Sequence, residues 1–234
     1  MYEWVGYTWN PLAGECPHQC EYCYVPMVAN RYPQLKDKYS GPIRIDEKAL
    51  KQNLPKNKII FVCSMNDLFA DEVPYDVINT IIERTRELSE GRTFLFQSKN
   101  PARMEEYIGY FPKGSILATT IETNRDIIKT KAPKPVARYE AMVRIRSWLR
   151  RSGAIYKLMV NIEPIVDFDI ETMIKWMRDI NPDSISIGAD SKNNNLPEPA
   201  PEKVQLLVDT LKHISEVRIK KNLNRLFGGD GDGK

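Results

Sequence analysis

Short apolar runs alternate with segments of helical period along most of this chain, and that alternation limits its fold more than any other feature. KIIFVCS (58–64), RTFLFQS (92–98), SILATTIE (115–122), IYKLMVNIEPI (155–165) and DSISIGA (183–189) are rich in β-branched and aromatic residues and read as buried strands. Each is followed by a helical pattern. In PYDVINTIIERTRELSEG (74–91), Val77, Ile78, Ile81, Ile82 and Leu88 recur at helical spacing, with a proline near the start and Gly91 past the end. NPARMEEYIGY (100–110) is a short helix with Asn100 as its N-cap. VARYEAMVRIRSWLRRSG (136–153) stops at Gly153, and DIETMIKWMRDI (169–180) is the next helix. APEKVQLLVDTLKHI (200–214) places Val204, Leu207, Val208 and Leu211 on one face. A sixth unit at the front needs a strand within residues 3–13 and a helix after Cys23. Alternating βα units mean a parallel sheet, and strands that are apolar on both faces mean that helices cover it. Six units are too few for the closed eight-unit barrel. An open doubly wound sheet and an incomplete barrel remain, and in both the loops after the strand C-termini collect the chemistry.

No linker divides the 234 residues. The expectation is one domain over 1–226, followed by a disordered Gly-rich tail over 227–234. A net charge of +3 implies no strong polyanion partner by itself. MYEWVGYTWN is too polar for a signal peptide core, and no window approaches the ~18 apolar residues of a membrane span. The chain therefore reads as cytoplasmic, with reduced thiols and no membrane partner. The basic run RIKKNLNR (218–225) reads as a solvated face, with phosphate contact as the alternative. His213 reads as a structural residue of the last helix.

Three of the four cysteines, Cys16, Cys20 and Cys23, fall within eight positions of ECPHQCEYCYVP (15–26). Disulfides do not suit a reducing compartment. Structural zinc usually takes two paired knuckles; here there is one triplet, and His18 as a fourth ligand inside it would strain a tetrahedron. An iron–sulfur cluster suits closely spaced loop thiolates better. Three thiolates on four irons leave one iron open, which is of use for binding a substrate. Cys63 lies far along the chain, and its spacing gives no sign that it completes a cluster.

The stretch CPHQCEYC (16–23) lies between the first expected strand and helix, with Tyr22 directly before the third cysteine. It resembles the signature of the radical S-adenosylmethionine (SAM) superfamily, whose fold is a partial (βα)6 barrel. That agrees with the count of units, so the expected fold is α/β, a partial (βα)6 barrel of the radical SAM type. CEYCY (20–24), CSMNDLF (63–69), QSKNP (97–101) and NIEPIVDFDIETMIKWM (161–177) resemble the branch that contains spore photoproduct lyase. TWNPLAGECPHQCEYCY (8–24) also resembles the opening of phage-type relatives of unknown substrate. The resemblance runs from Thr8 to about Leu226.

The resemblance implies an enzyme that holds a 4Fe–4S cluster on Cys16, Cys20 and Cys23. SAM occupies the open iron, and a 5′-deoxyadenosyl radical abstracts hydrogen from a substrate. It implies Tyr22 beside the adenine, and Ser64, Asn66 and Asp67 at the SAM amino group, where the more usual Gly-Gly-Glu is lacking. It implies Lys99 at the SAM carboxylate, and Thr119, Thr120 and Glu122 near the ribose. Asn161 and Glu163, two apart on one strand and so on one face, would meet SAM or substrate. Cys63 would be a hydrogen-atom donor or else an inert buried thiol. A nucleoside or nucleic acid is the substrate class this branch suggests, and a flavodoxin or ferredoxin the reductant. Four cysteines leave too few for a second full cluster. The competing class is a non-catalytic iron–sulfur or zinc sensor, which would not need the polar strand ends.

Overall fold

The computed structural model describes residues 2–192 and 194–228. In chain order its elements are β1 (Tyr7–Trp9), β2 (Leu12–Ala13), α1 (Val25–Arg31), α2 (Pro33–Lys38), β3 (Arg44–Ile45), α3 (Glu47–Leu50), β4 (Lys58–Val62), α4 (Tyr75–Glu87), β5 (Arg92–Ser98), α5 (Pro101–Glu105), β6 (Ile116–Thr120), α6 (Pro135–Ser152), β7 (Lys157–Ile162), α7 (Ile170–Ile180), β8 (Ser184–Ile187), α8 (Pro201–Lys212) and β9 (Glu216–Ile219). A 3-10 helix over Lys221–Phe227 follows. Residues 229–234, most of the expected tail, lie outside the described residues.

The main sheet has the order β1-β4-β5-β6-β7-β8-β9, and every pair in it is parallel. Each strand is added on the same side of the one before. A doubly wound sheet reverses its direction of growth at a switch point, and this sheet does not. The incomplete barrel is therefore the outcome. It gains a seventh strand, β9, from a stretch that reads in sequence as a solvated basic face.

The two faces of the sheet separate by the strand period of two. Ile60, Val62, Phe94, Phe96, Leu117, Leu158 and Val160 join the main core with Ile78, Ile81, Met142, Ile145, Met173 and Leu207 from the helices. The alternate residues Ile59, Phe61, Leu95, Ile116, Ala118 and Met159 form a second cluster inside the curved sheet. Tyr2, Trp4 and Val5 from the N-terminal segment fill that interior.

The helix ends follow their sequence signals. Asn100 caps α5 by accepting from the Arg103 amide, as expected. Gly153 ends α6 at φ +66°, and Asn181 ends α7 at φ +49°, both in the left-handed region. The β2–β3 pair and α2 and α3 are an insertion that the βα alternation did not reveal. Trp9, fully buried, donates from Nε1 to Ala49 O at 2.8 Å and ties this insertion to the barrel.

Gly14 leads into the cysteine loop at φ +99°, and a Cβ there would sit 2.4 Å from Pro42 O. Both the backbone and the close approach require glycine. Gly14→Ala is expected to cost at least about 2 kcal/mol of stability. An unchanged midpoint in urea denaturation would show that the loop has room for the methyl group.

Candidate active site

A cavity of about 550 Å³ opens where the parallel strands end. The cysteine loop forms one wall. The C-terminal ends of β4 to β8, together with Lys220 just past β9, form the rest.

The cysteine loop is held at both ends of its span. His18 O accepts from the Lys131 amide at 2.8 Å and from the Thr130 hydroxyl at 2.9 Å. The Glu21 amide donates to Lys129 O at 3.0 Å, and Glu21 Oε1 accepts from the Lys129 amide at 2.8 Å. The basic, Pro-containing loop of 129–137 is thus a cradle for the cysteines. His18 Nε2 lies 2.9 Å from Asp67 Oδ2 on the opposite wall. Cys20 Sγ is 3.2 Å from the Thr130 hydroxyl.

All three clustered thiols are free and partly exposed, and all three line the cavity. Burial, with Asp67 adding to it, pushes the Cys16 thiol up to about 12, and burial raises that of Cys23. Neutral thiols at this position need a bound cation to become thiolates. Among the described residues, no three Cys, His, Asp or Glu side chains converge as ligands of a single metal ion. A four-iron cluster does not require that, because each thiolate takes its own iron. Soft sulfur donors spread over one rim of the cavity suit such a cluster, with Cys16, Cys20 and Cys23 as the residues that would hold it.

Across from the thiols, Lys99, Glu122, Arg138 and Tyr22 form one network. Lys99 Nζ lies 2.6 Å from Glu122 Oε1, and Arg138 Nη1 lies 2.8 Å from Glu122 Oε2. The Tyr22 hydroxyl donates to Glu122 and accepts from Lys99, whose ammonium lies 4.2 Å from the Tyr22 ring centre. Arg138 also donates to Thr120 O at 3.1 Å and to Pro133 O at 2.6 Å. Burial alone would raise the Glu122 carboxyl, but the charges of Lys99 and Arg138 outweigh it and hold the carboxyl below its usual range. Glu122 is 0% exposed and does not line the cavity. Both its oxygens face cations, Lys99 and Arg138, rather than the cavity where a ribose contact is expected from its place after the strand. Thr120 does line the cavity; Thr119 points to the other face and donates to Ser98 O.

Asp67 is also a connecting residue. Its Oδ1 accepts from the Ser98 hydroxyl at 2.7 Å and the Phe69 amide at 3.0 Å, and its Oδ2 from the Lys99 amide at 2.8 Å. Burial opposes its charge, but the His18 contact and these hydrogen bonds hold its carboxyl low. The Ser64 hydroxyl donates to Asn10 Oδ1 at 3.2 Å, and Asn66 donates to Gly14 O at 3.0 Å. Ser64, Asn66 and Asp67 all line the cavity, yet each also ties its loop to a neighbour. Cys63 lines the cavity at φ +55°, buried, with its thiol pushed up to about 12 mainly by burial.

The interior of the barrel is apolar below and polar above. Gln97, Thr120, Asn161, Glu163 and Lys220 lie at or past the strand ends and line the cavity. Gln97 Nε2 donates to Thr120 Oγ1 at 3.2 Å. Lys220 Nζ pairs with Glu163, and Asn222 donates to Glu163 Oε1 at 3.3 Å. Tyr2 rises into this layer from the N-terminal segment and donates to Gln97 Oε1 at 2.6 Å. Burial, with Glu163 adding to it, raises the Tyr2 hydroxyl well above its usual value, so it stays a donor. Sequence reasoning missed Tyr2, Gln97, Ser98, Arg138 and Lys220. Gln97 and Ser98 left a trace as the polar end of an otherwise apolar strand, and Lys220 as part of the basic run of 218–225.

No helix among the described residues is long and apolar enough to cross a membrane. A family model described as "Protein of unknown function (DUF5131)" matches residues 1–176. No curated protein matches the chain. Solved structures share its fold at low identity. A spore photoproduct lyase mutant with dinucleoside spore photoproduct aligns at a TM-score of 0.61 and 12% identity, covering 90% of this chain and 75% of that one. Another mutant of that lyase, with bound AdoMet and dinucleoside spore photoproduct, aligns at 0.53 and 11%, covering 88% and 61%. SuiB of Streptococcus suis bound to S-adenosylmethionine aligns at 0.55 and 9%, covering 94% and 52%. The chain thus spans about six tenths of one lyase structure and about half of SuiB. Its α/β partial barrel is that of these proteins.

Proposed function

The chain belongs to the DUF5131 family of proteins of unknown function, and we propose that it is a radical SAM enzyme. The observation that supports this most directly is the meeting of Cys16, Cys20 and Cys23 with Lys99 around one cavity at the strand ends. Two structures that share the fold hold AdoMet or S-adenosylmethionine. A 4Fe–4S cluster on the three cysteines would supply the electron that splits SAM into methionine and a 5′-deoxyadenosyl radical.

The remaining roles belong to the chain. Lys99 offers a point charge for the SAM carboxylate, and Glu122 and Tyr22 hold that charge in place. Thr120 offers a hydroxyl toward the ribose. Asp67 and His18 brace the cysteine loop against the Lys99 wall. The Thr130 hydroxyl, 3.2 Å from Cys20 sulfur, would tune the cluster by hydrogen bonding to that ligand. The raised thiol of Cys63 keeps its proton at neutral pH, the form a hydrogen-atom donor needs. A donor of the flavodoxin or ferredoxin type supplies the electron. The lyase structures contain a dinucleoside photoproduct, so nucleosides and nucleic acids are the first substrates to search.

The test is anaerobic reconstitution with iron and sulfide, followed by dithionite, SAM and an assay for 5′-deoxyadenosine. The expected result is 5′-deoxyadenosine from the wild type and none from Cys20→Ala. Zinc retained on the cysteines with no cluster formed would overturn the reading in favour of a metal sensor. A cluster whose EPR spectrum ignores SAM would overturn it as well.

A further inference from the structure

The open sheet leaves a seam between its two edge strands, β1 and β9. The N-terminal segment lies along β9 at that seam. Trp4 meets the Arg218 guanidinium at 4.6 Å, and Tyr2 meets the Lys220 ammonium at the same distance. The two contacts step along the chains in opposite directions. Tyr2, Trp4 and Val5 also pack on Leu95, Ala118 and Met159 in the interior of the barrel. The Gly6 amide then donates to Ile59 O at 3.1 Å, where the chain joins the sheet.

Of Tyr2, Trp4 and Val5, only Tyr2 lines the cavity. Its ring is held between neighbours: the Lys220 ammonium, Trp4 stacked at 5.1 Å, and Phe61 at 6.1 Å. It is 6% exposed, so it is a fixed wall and not a stacking surface. It stands between the apolar interior below and the polar layer of Gln97, Thr120 and Glu163 above. Without this ring the cavity would continue into the barrel.

The Tyr2 hydroxyl also decides which way the Gln97 amide faces. The two meet at 2.6 Å, a length typical of O–H···O bonds and shorter than the usual N–H···O distance of about 2.9 Å. Gln97 Oε1 is therefore the atom turned to Tyr2. Its Nε2 gives one hydrogen to Thr120 Oγ1 at 3.2 Å and keeps the second. Gln97 is half-buried and lines the cavity, so this second hydrogen is what it offers to a ligand. We propose that Tyr2 is a specificity-determining residue: its ring limits how deep a ligand reaches, and its hydroxyl makes Gln97 a donor toward that ligand. The group set against Gln97 is then a hydrogen-bond acceptor. The inference deepens the radical SAM reading by naming what selects the ligand, and rests on that reading only for taking the ligand to be the substrate.

The test refills the place of the side chain in Tyr2→Ala with p-cresol, which has the shape of the missing group, or with toluene, which lacks the hydroxyl. Binding is followed by ligand-observed NMR on the full chain as purified. Tyr2→Ala is expected to bind p-cresol about tenfold more tightly than the wild type does, because the wild-type ring fills the space. It should also prefer p-cresol to toluene about fivefold, because toluene leaves Gln97 Oε1 unmet. That preference should vanish in Tyr2→Ala/Gln97→Leu, and Tyr2→Phe, which keeps the ring, should gain no binding. Equal p-cresol binding by wild type and Tyr2→Ala, or a gain in Tyr2→Phe, would overturn the role in depth. A preference for toluene in Tyr2→Ala, or one for p-cresol that survives Gln97→Leu, would overturn the orientation of Gln97. Should Tyr2→Ala not fold alone, recovery of its circular dichroism spectrum with p-cresol and not with toluene is the same positive result, and no recovery with either would overturn the proposal. The titration uses neither cluster nor reductant, so its failure is distinct from failure of the 5′-deoxyadenosine assay.

Discussion

Glu122→Gln is expected to lower the stability of the protein by about 3–5 kcal/mol, the usual cost of removing one partner from a buried ion pair. For a chain of this size that corresponds to a fall of about 6–20 °C in Tm. The cause is not the lost carboxylate itself but the two cations left behind. Arg138 is buried and faces Glu122 Oε2 at 2.8 Å, and Lys99 faces Oε1 at 2.6 Å. Glutamine keeps the shape and one acceptor but cannot balance either charge. The effect also has a pH signature. The folded state holds the Glu122 carboxyl below its usual range, so its ionisation contributes stability that is fully present above the unfolded value of about 4.3. That contribution is lost as pH falls through the lower folded value. The gap between wild type and Glu122→Gln should therefore be constant from pH 6 to 8 and narrow below about pH 4.3. Urea denaturation across that range measures it. A gap that stays constant down to pH 3 would mean that the Glu122 carboxyl titrates alike in the folded and unfolded states and that its ion pairs do not lower it.

The partial barrel was legible because its central strands are buried on both faces and so read as continuous apolar runs. β9 was not. As an edge strand it has a single strand neighbour and needs no second apolar face. Its sequence, Glu216-Val217-Arg218-Ile219, alternates charge with aliphatic residues and continues into Lys220 and Lys221. Its ladder is with β8, and contacts from over 200 residues away in the chain add to it, where Trp4 and Tyr2 accept Arg218 and Lys220 on their ring faces. The site divides in the same way. The three thiols are local in sequence, and their spacing announces them. Lys99 and Glu163 directly follow strands and Asn161 is near the end of one, so all three could be placed at the strand ends. The burial of Glu122 against Arg138 depends on how α6 packs against β6, and no local pattern encodes that. The same holds for Asp67, which the sequence offers as a contact to a ligand and the fold uses as a connection between walls.

That connection is the basis for the last expected result. Asp67→Ala should leave the chain folded but unable to retain a full cluster, with iron falling from about four atoms per chain to below one after desalting. Asp67 touches the cysteine loop through His18, β5 through the Ser98 hydroxyl and the lysine wall through the Lys99 amide. Its removal frees these three groups and the Phe69 amide as well. The loop would keep its hydrogen bonds to Lys129, Thr130 and Lys131, but these hold it to one side of the cavity only. The thiols would lose their fixed distance from the opposite wall, and ligands displaced by about an ångström lose much of their affinity. His18→Ala breaks one of these contacts and should give an intermediate iron content. In the double variant the two losses should not add, because His18 acts on the loop through Asp67. Iron and sulfide analysis, with circular dichroism to confirm the fold, measures each case. Full iron content in Asp67→Ala would show that the cysteine loop holds its shape without the opposite wall, and the bracing role would then be lost.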